Sequence, residues 1–221
     1  MNYDAFMEPV SWFFTGMEKH SDGFDANRFR NGKDFEYLVV SNTANMGAHA
    51  ADIAMNELSN HDHSRFLTRT NLNCGRLESM GSNAADEGIN YGIMREAVAF
   101  QFIWTGMPTI YYGDEAGLTG WTDPDNRRTY PWGKENRQML DFHKHMIKIR
   151  KENEVLKTGS YRFIYSDYGI ISVTRFTDKK QIVSVFNNCE EEKTVSLPVW
   201  LAGADTEESF YTLLETDADG Y

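Results

Sequence analysis

The most informative stretch of the chain is Leu58-Ser59-Asn60-His61-Asp62-His63-Ser64-Arg65-Phe66. It overlaps Met55-Asn56-Glu57-Leu58, which suggests a short strand, and its polar residues suit the loop at the C-terminal end of a strand. A His-Asp pair in such a loop can hold a metal, transfer protons or bind a polar ligand. Because an Asx or Ser side chain also commonly caps the following helix, spacing alone does not choose among these roles.

Helical and strand patterns alternate on both sides of this stretch. The predicted elements are a helix over 8–20, a polar helix within 25–51, a surface loop over 71–86, a buried helix over 91–104, a strand over 108–112 and an amphipathic helix over 136–152. Apolar residues at three-to-four spacing carry the helix predictions. The alternation of helices and strands favours a parallel sheet connected by right-handed crossovers.

The character of the chain changes near residue 153. Beyond it, β-branched and aromatic runs at 161–165, 170–176, 181–186 and 194–197 are separated by turn residues, which predicts an antiparallel sheet. We therefore expect two domains, residues 1–153 and residues 154–221.

Composition excludes several classes of protein. The 221 residues include 22 Lys plus Arg and 33 Asp plus Glu, a formal net charge of −11, which disfavours nucleic acid and anionic membranes as partners. No stretch reaches the roughly 18 apolar residues of a membrane helix. Met1-Asn2-Tyr3-Asp4 lacks the features of a signal peptide, and we expect a soluble, cytoplasmic protein. Cys74 and Cys189 are expected to be free thiols.

Asn60-His61-Asp62 with Arg65 resembles the strand-7 motif of the α-amylase family of glycoside hydrolases. Strand 8 and its loop in the neopullulanase and cyclomaltodextrinase branch are similar to Gly106-Met107-Pro108-Thr109-Ile110-Tyr111-Tyr112-Gly113-Asp114-Glu115, followed by Asp123-Pro124-Asp125-Asn126-Arg127-Arg128. The opening Met1-Asn2-Tyr3 is similar to that branch's strand 6. The resemblance implies an α/β fold: the C-terminal part of a (β/α)8 barrel, about strands 6 to 8, followed by a small antiparallel β-sandwich.

The resemblance also implies roles for individual residues. In a retaining glycosidase one carboxylate attacks the anomeric carbon and a carboxylic acid protonates the leaving oxygen. Asp62 matches the family's third carboxylate, a catalytic residue that binds two hydroxyls of the sugar at the cleaved position, and His61 would bind the same sugar. Asp123 and Arg127 match a pair that holds a sugar further from the cut.

Other residues are given supporting or structural roles. Asn60 and Arg65 are expected to orient Asp62 without touching substrate. No cofactor and no metal is implied. For Trp132 the two candidate roles are packing under its loop and lining the cleft, and packing is favoured. His143 and His145 are expected at the solvated surface, because residues two apart on a helix do not face each other.

The family's nucleophile and general acid have no match in this sequence. Gly23-Phe24-Asp25-Ala26-Asn27-Arg28 places the Asp before the Arg, whereas the family's strand-4 motif places Arg first. We therefore expect a C-terminal fragment, inactive alone, of a hydrolase that cuts α-1,4 bonds of malto-oligosaccharides, cyclodextrins or pullulan, with α-1,6 bonds as a further candidate. A non-hydrolytic carbohydrate-binding or scaffold fragment is the alternative, and these residues do not separate hydrolysis from glucosyl transfer.

Three partners are expected. They are an α-glucan oligosaccharide, the missing N-terminal part of the barrel, and further copies of the chain that associate through open strand edges.

Overall fold

The computed structural model describes residues 1–205 and 209–216. The helices are α1 (Glu8–Thr15), α2 (Gly32–Met46), α3 (Ala48–Asp52), α4 (Phe66–Arg69), α5 (Leu77–Met80), α6 (Tyr91–Ile103), α7 (Arg137–Glu152) and α8 (Val155–Thr158). The strands are β1 (Met55–Asn56), β2 (Met107–Pro108), β3 (Ser160–Asp167), β4 (Ile170–Phe176) and β5 (Gln181–Asn187). A π-helical turn lies at Tyr3–Met7, and 3-10 turns lie at Ser82–Ala85, Asp114–Ala116, Asp125–Arg127 and Val199–Ala202.

β1 and β2 form a short parallel sheet, in which Met55 pairs with Met107 and Asn56 pairs with Pro108. The Ala54 and Asn56 carbonyls accept bonds from the β2 side, and the Met55 carbonyl accepts from the Asn2 amide at 2.9 Å. Because successive carbonyls of a strand point in opposite directions, the N-terminal residues lie along the other edge of β1. The order across this sheet is therefore N-terminal segment, β1, β2.

β3, β4 and β5 form an antiparallel sheet with β4 in the middle. Its buried side chains pack on the helices, as the rings of Phe163 and Phe35, 6.1 Å apart, and of Phe186 and Phe100, 5.9 Å apart, show. Residues from α1, α2, α6, α7, β3, β4 and β5 share one hydrophobic core. The sheet is thus continuous in packing with the helical part.

Two arginines, half-buried Arg150 and buried Arg175, attach the C-terminal end of α6 to its neighbours. From α7, Arg150 donates to the carbonyls of Phe102, Trp104 and Gly106 at 2.6, 3.2 and 2.6 Å. From β4, Arg175 donates to the carbonyls of Ile103, Leu156 and Gly159 at 2.7, 2.9 and 2.7 Å. The last carbonyls of a helix lack partners within it and attract cations, so both side chains stabilise this end of α6.

Several predicted elements are confirmed. The buried helix at 91–104 is α6 and the amphipathic helix at 136–152 is α7, which begins after the capping side chain of Asn136. The strands at 161–165, 170–176 and 181–186 are β3, β4 and β5, and α2 lies within 25–51. Cys74 and Cys189 are free thiols.

Other predicted elements are wrong in extent or type. The helix over 8–20 ends at Thr15, because Gly16 takes a left-handed conformation with φ 66° and donates to the Trp12 carbonyl at 2.8 Å. The strand over 108–112 is reduced to β2, because the Asp114 amide bonds back to the Tyr111 carbonyl at 3.1 Å and the chain turns there. The loop over 71–86 contains α5 and a 3-10 turn.

The end of the chain also departs from expectation. Within the described residues, 194–197 form no strand, and side chains there are exposed or half-buried. Residues 206–208 and 217–221 of the predicted second domain lie outside the described residues.

Candidate functional site

Buried Asn60 organises the loop that follows β1. Its Oδ1 accepts from the amides of Asp62 and His63 at 2.9 and 3.1 Å. Its Nδ2 donates to Glu57 Oε1 at 3.0 Å and to the Tyr3 hydroxyl oxygen at 3.1 Å. Because a backbone amide only donates, Oδ1 must face the amides of Asp62 and His63, which leaves Nδ2 to donate to Glu57 and Tyr3. Asn60 thereby fixes the backbone at Asp62.

The side chains of His61 and Asp62 lie beside each other at the surface. His61 Nε2 is 3.4 Å from Asp62 Oδ1, and the two side chains are 54% and 51% exposed. An imidazole and a carboxylate in this position can hydrogen-bond neighbouring hydroxyls of one polar ligand.

The loop that follows β2 brings Asp123 and Arg127 to the same place. Arg127 Nε is 2.8 Å from Asp123 Oδ1 and donates to the His61 carbonyl at 3.2 Å. The Asp123 amide donates to the Asp62 carbonyl at 3.4 Å. The structure therefore brings His61, Asp62, Asp123 and Arg127 together on two adjoining loops.

Arg65 and Asn126 join these loops from inside. Arg65 is fully buried and donates to the carbonyls of Asn126 and Tyr112, each at 2.9 Å, and to Asp114 Oδ1 at 2.9 Å. The side-chain amide of Asn126 donates from Nδ2 to the carbonyls of His63 and Asn60 at 2.7 and 3.2 Å. The bonds of Arg65 thus hold the two loops against each other, whereas Asn60 bonds directly to the Asp62 amide.

Three other carboxylates around the site are engaged in structural contacts. Burial raises the pKa of Glu57, which is bonded to Asn60. Burial raises the pKa of Asp114 to about 6 while Arg65 opposes this shift. Glu115 accepts from the Gly113 amide at 2.9 Å. The open carboxylates of the site are those of Asp62 and Asp123, which suits binding of hydroxyls.

The sequence interpretation missed the segment that follows α1. The Ser21 and Ser64 hydroxyls are 2.8 Å apart, and Ser64 also donates to the Lys19 carbonyl at 3.1 Å. The ring of His20 packs on that of buried His63 with centroids 4.6 Å apart. The sequence could have indicated this segment. It follows the predicted strand 6, and the loop after that strand lies at the same end of the barrel as the loops after strands 7 and 8.

Glu18, His20 and Asp22 place one ligand atom each within 4.8 Å of one another. They are already paired: Glu18 Oε1 lies 2.7 Å from His20 Nδ1, and Asp22 Oδ1 accepts from Arg76 Nε at 2.7 Å. The three side chains are therefore held by a hydrogen bond between Glu18 and His20 and by the ion pair of Asp22 with Arg76 at the edge of the site.

Two expectations about individual side chains are wrong. His143 is buried, and its Nδ1 lies 2.9 Å from the Met139 carbonyl oxygen one turn earlier, whereas His145 is exposed. Trp132 does not pack under its loop, because it is 82% exposed.

The polar side chains of the site lie on loops at the C-terminal ends of the parallel strands β1 and β2, and the helix α6 connects these strands. This arrangement is typical of (β/α)8-barrel enzymes. The chain belongs to the α-amylase family: the family model described as the α-amylase catalytic domain matches residues 10–137. The fold is accordingly that of a barrel glycoside hydrolase.

Named relatives agree. The chain is 34% identical to neopullulanase 2 of Thermoactinomyces vulgaris over 93% of its own length and 31% of that protein. It is 35% identical to a cyclomaltodextrinase of Thermoanaerobacter pseudethanolicus over 66% of its own length and 23% of that protein. A solved cyclomaltodextrinase superposes with a TM-score of 0.70 and 28% identity, covering 90% of this chain and 30% of that one. The chain thus spans less than a third of these relatives.

No helix in the described part of the chain has the length and apolar character needed to cross a bilayer.

Proposed function

We propose that β1 and β2 are barrel strands 7 and 8, that the N-terminal residues beside β1 occupy the place of strand 6, and that the barrel part ends at residue 153. Residues 154–221 would then belong to the β-sandwich that follows. The order of N-terminal segment, β1 and β2 across the sheet supports this assignment.

Exposed apolar side chains around β1 and β2 support the proposal that the remaining strands of the barrel pack there in the whole protein. Ile53, Met55 and Met107 are 72%, 42% and 54% exposed. Apolar side chains beside open strand edges suit pairing with more strands. In the whole protein we propose that the remaining barrel strands cover them. In the isolated chain a second copy would do so, which sedimentation velocity would report as a dimer and a monodisperse monomer would contradict.

We propose that the site binds an α-glucan, with Asp62 and His61 on the sugar at the cleaved bond and Asp123 with Arg127 on a neighbouring sugar. The observation that carries this proposal is the convergence of these four side chains on two loops joined by Arg65 and Asn126. A carboxylate that strengthens its bonds to sugar hydroxyls as positive charge develops lowers the barrier of the reaction.

The whole protein would be a retaining hydrolase of α-1,4 glucosidic bonds in malto-oligosaccharides, cyclodextrins or pullulan, with α-1,6 bonds as a further candidate. The names cyclomaltodextrinase and neopullulanase of two relatives support cyclodextrins and pullulan as substrates. The nucleophile and general acid of the whole protein would come from outside these 221 residues. The chain alone would then bind glucan without hydrolysing it, which is also the behaviour of a carbohydrate-binding module. We propose a cytoplasmic location.

Asp62→Asn should weaken the affinity for glucan, because it replaces a charged acceptor with a neutral amide. Hydrogen bonds to charged groups contribute roughly 1.5–3 kcal/mol, so we expect about a tenfold or greater increase in Kd. Affinity electrophoresis through gels containing pullulan or amylose measures weak binding as retardation, and a gel containing cellulose derivative tests selectivity.

The matched control is Asp178→Asn, an exposed carboxylate in the turn between β4 and β5. It should leave retardation unchanged. Equal retardation of the wild-type chain and Asp62→Asn would remove Asp62 from the site, and absence of retardation of the wild-type chain would contradict glucan binding by this chain.

A further inference from the structure

Trp132 presents a large apolar ring to solvent. It is 82% exposed, whereas Trp104 and Trp121 are fully buried. Its ring packs on that of Tyr130, with centroids 4.5 Å apart and planes inclined at 49°. Leaving an indole in water forfeits the stabilisation that burial would give, so a bound ligand that covers this ring would gain it.

The segment that carries the two rings is held in place by hydrogen bonds. The Tyr112 hydroxyl donates to the Arg128 carbonyl at 2.8 Å, and the Trp132 amide donates to the Tyr130 carbonyl at 2.9 Å. The Asn136 amide returns to the Ala116 carbonyl at 2.9 Å. A surface fixed in this way loses little conformational freedom when it binds a ligand.

The two rings belong to the loop that carries part of the proposed glucan site. Trp132 follows Arg127 by five positions, and the Tyr130 hydroxyl bonds to Glu115, just beyond β2. The rings therefore extend the loop that begins at the C-terminal end of β2, on which Asp123 and Arg127 lie.

The charges around the two rings indicate which kind of ligand can bind there. Aromatic platforms can stack sugar rings or nucleobases, but the formal net charge of −11 disfavours a phosphate backbone. Glu115 and Glu135 lie close to the Tyr130 hydroxyl and make these surroundings acidic, which further disfavours an anionic ligand. A neutral ligand with an apolar face and a rim of hydroxyls fits this combination.

We propose that Trp132 and Tyr130 form a stacking platform for a glucose unit of an α-glucan, separate from the sugar held by Asp62. The platform rests on the proposed glucan-binding function and adds to it a dependence of affinity on chain length. In this proposal the units of maltotriose occupy the positions at Asp62 and at Asp123 with Arg127, whereas maltoheptaose has further units that can cover the platform.

Trp132→Ala should raise the Kd for maltoheptaose about three- to tenfold, the range of an aromatic contact, and change that for maltotriose less than about twofold. Isothermal titration with both sugars measures this. Trp200→Ala is the matched control, because Trp200 is also exposed, at 62%, but lies in the turn Val199–Ala202 beyond the second sheet. It should bind both sugars as the wild type does.

Three other outcomes would each contradict the proposed platform. Unchanged maltoheptaose affinity in Trp132→Ala, while Asp62→Asn weakens both sugars, overturns the platform and leaves the proposed function intact. Equal weakening for both sugars overturns the separate position of the platform. If the wild-type chain binds neither sugar, the proposed function fails and the platform fails with it.

Discussion

Arg65→Met is expected to lower the free energy of unfolding by about 3–5 kcal/mol, because it leaves a buried carboxylate without its partner. Arg65 is 0% and Asp114 5% exposed at the side chain, and the two are 2.9 Å apart. The substitution also removes the donors to the Tyr112 and Asn126 carbonyls. Urea unfolding at neutral pH, followed by circular dichroism, measures the change.

A double variant separates the ion pair from simple loss of packing. Arg65→Met with Asp114→Leu removes both charges, and we expect it to recover at least about 1 kcal/mol relative to Arg65→Met. The exposed pair of Arg76 and Asp22 provides the matched control, and Arg76→Met should lower the stability by about 1 kcal/mol or less. Equal losses for Arg65→Met and Arg76→Met would contradict a structural role for Arg65.

His63 should make the protein less stable as the pH falls. Burial, and then the neighbouring Arg69 and His20, lower the pKa of His63 to about 3. The unfolded chain takes up a proton near the ordinary histidine pKa of about 6.5, and the folded chain does not until much lower pH. The free energy of unfolding therefore falls by up to about 2 kcal/mol between roughly pH 6.5 and 5 from this group alone. His63→Gln should abolish that contribution.

Other buried groups act with the opposite sign. Burial raises the pKa of Asp114 to about 6 and that of Glu96 to about 7, so their contributions to stability fall as the pH rises. Urea unfolding of wild type and His63→Gln at about pH 6.5 and about pH 5 separates the effect of His63, because the contributions of Asp114 and Glu96 to the free energy of unfolding are the same in both proteins. His145→Gln, at an exposed position of α7, should behave as wild type. Identical pH dependence in wild type and His63→Gln would contradict burial of a neutral His63.

Much of the fold was predictable because local pattern and tertiary environment agree there. The apolar character of α6 and the one-sided pattern of α7 are long enough to specify helices. The β-branched runs of β3 to β5 specify strands, and the turn residues between them fix their boundaries. The motif around Asp62 identified the family, and the family model supports that identification.

The remaining features depend on contacts between segments distant in sequence. The bonds of Arg65 to Tyr112 and Asn126 link residues more than 40 positions apart, and no local pattern contains them. The strand predicted over 108–112 is longer than the observed β2, because β-propensity does not register the turn that begins at Tyr111. The exposure of Trp132 contradicts a packing rule that holds for most tryptophans.

Backbone amide shifts in 1H–15N NMR spectra, recorded while maltoheptaose is added, test most directly whether the loops after β1 and β2 together bind glucan. We predict that the amides of Asp62, His63, Asp123 and Arg127 shift with one common saturation curve, while those of β3, β4 and β5 stay in place. Shifts confined to β3, β4 and β5, or a spectrum unchanged by the sugar, would contradict the proposed site.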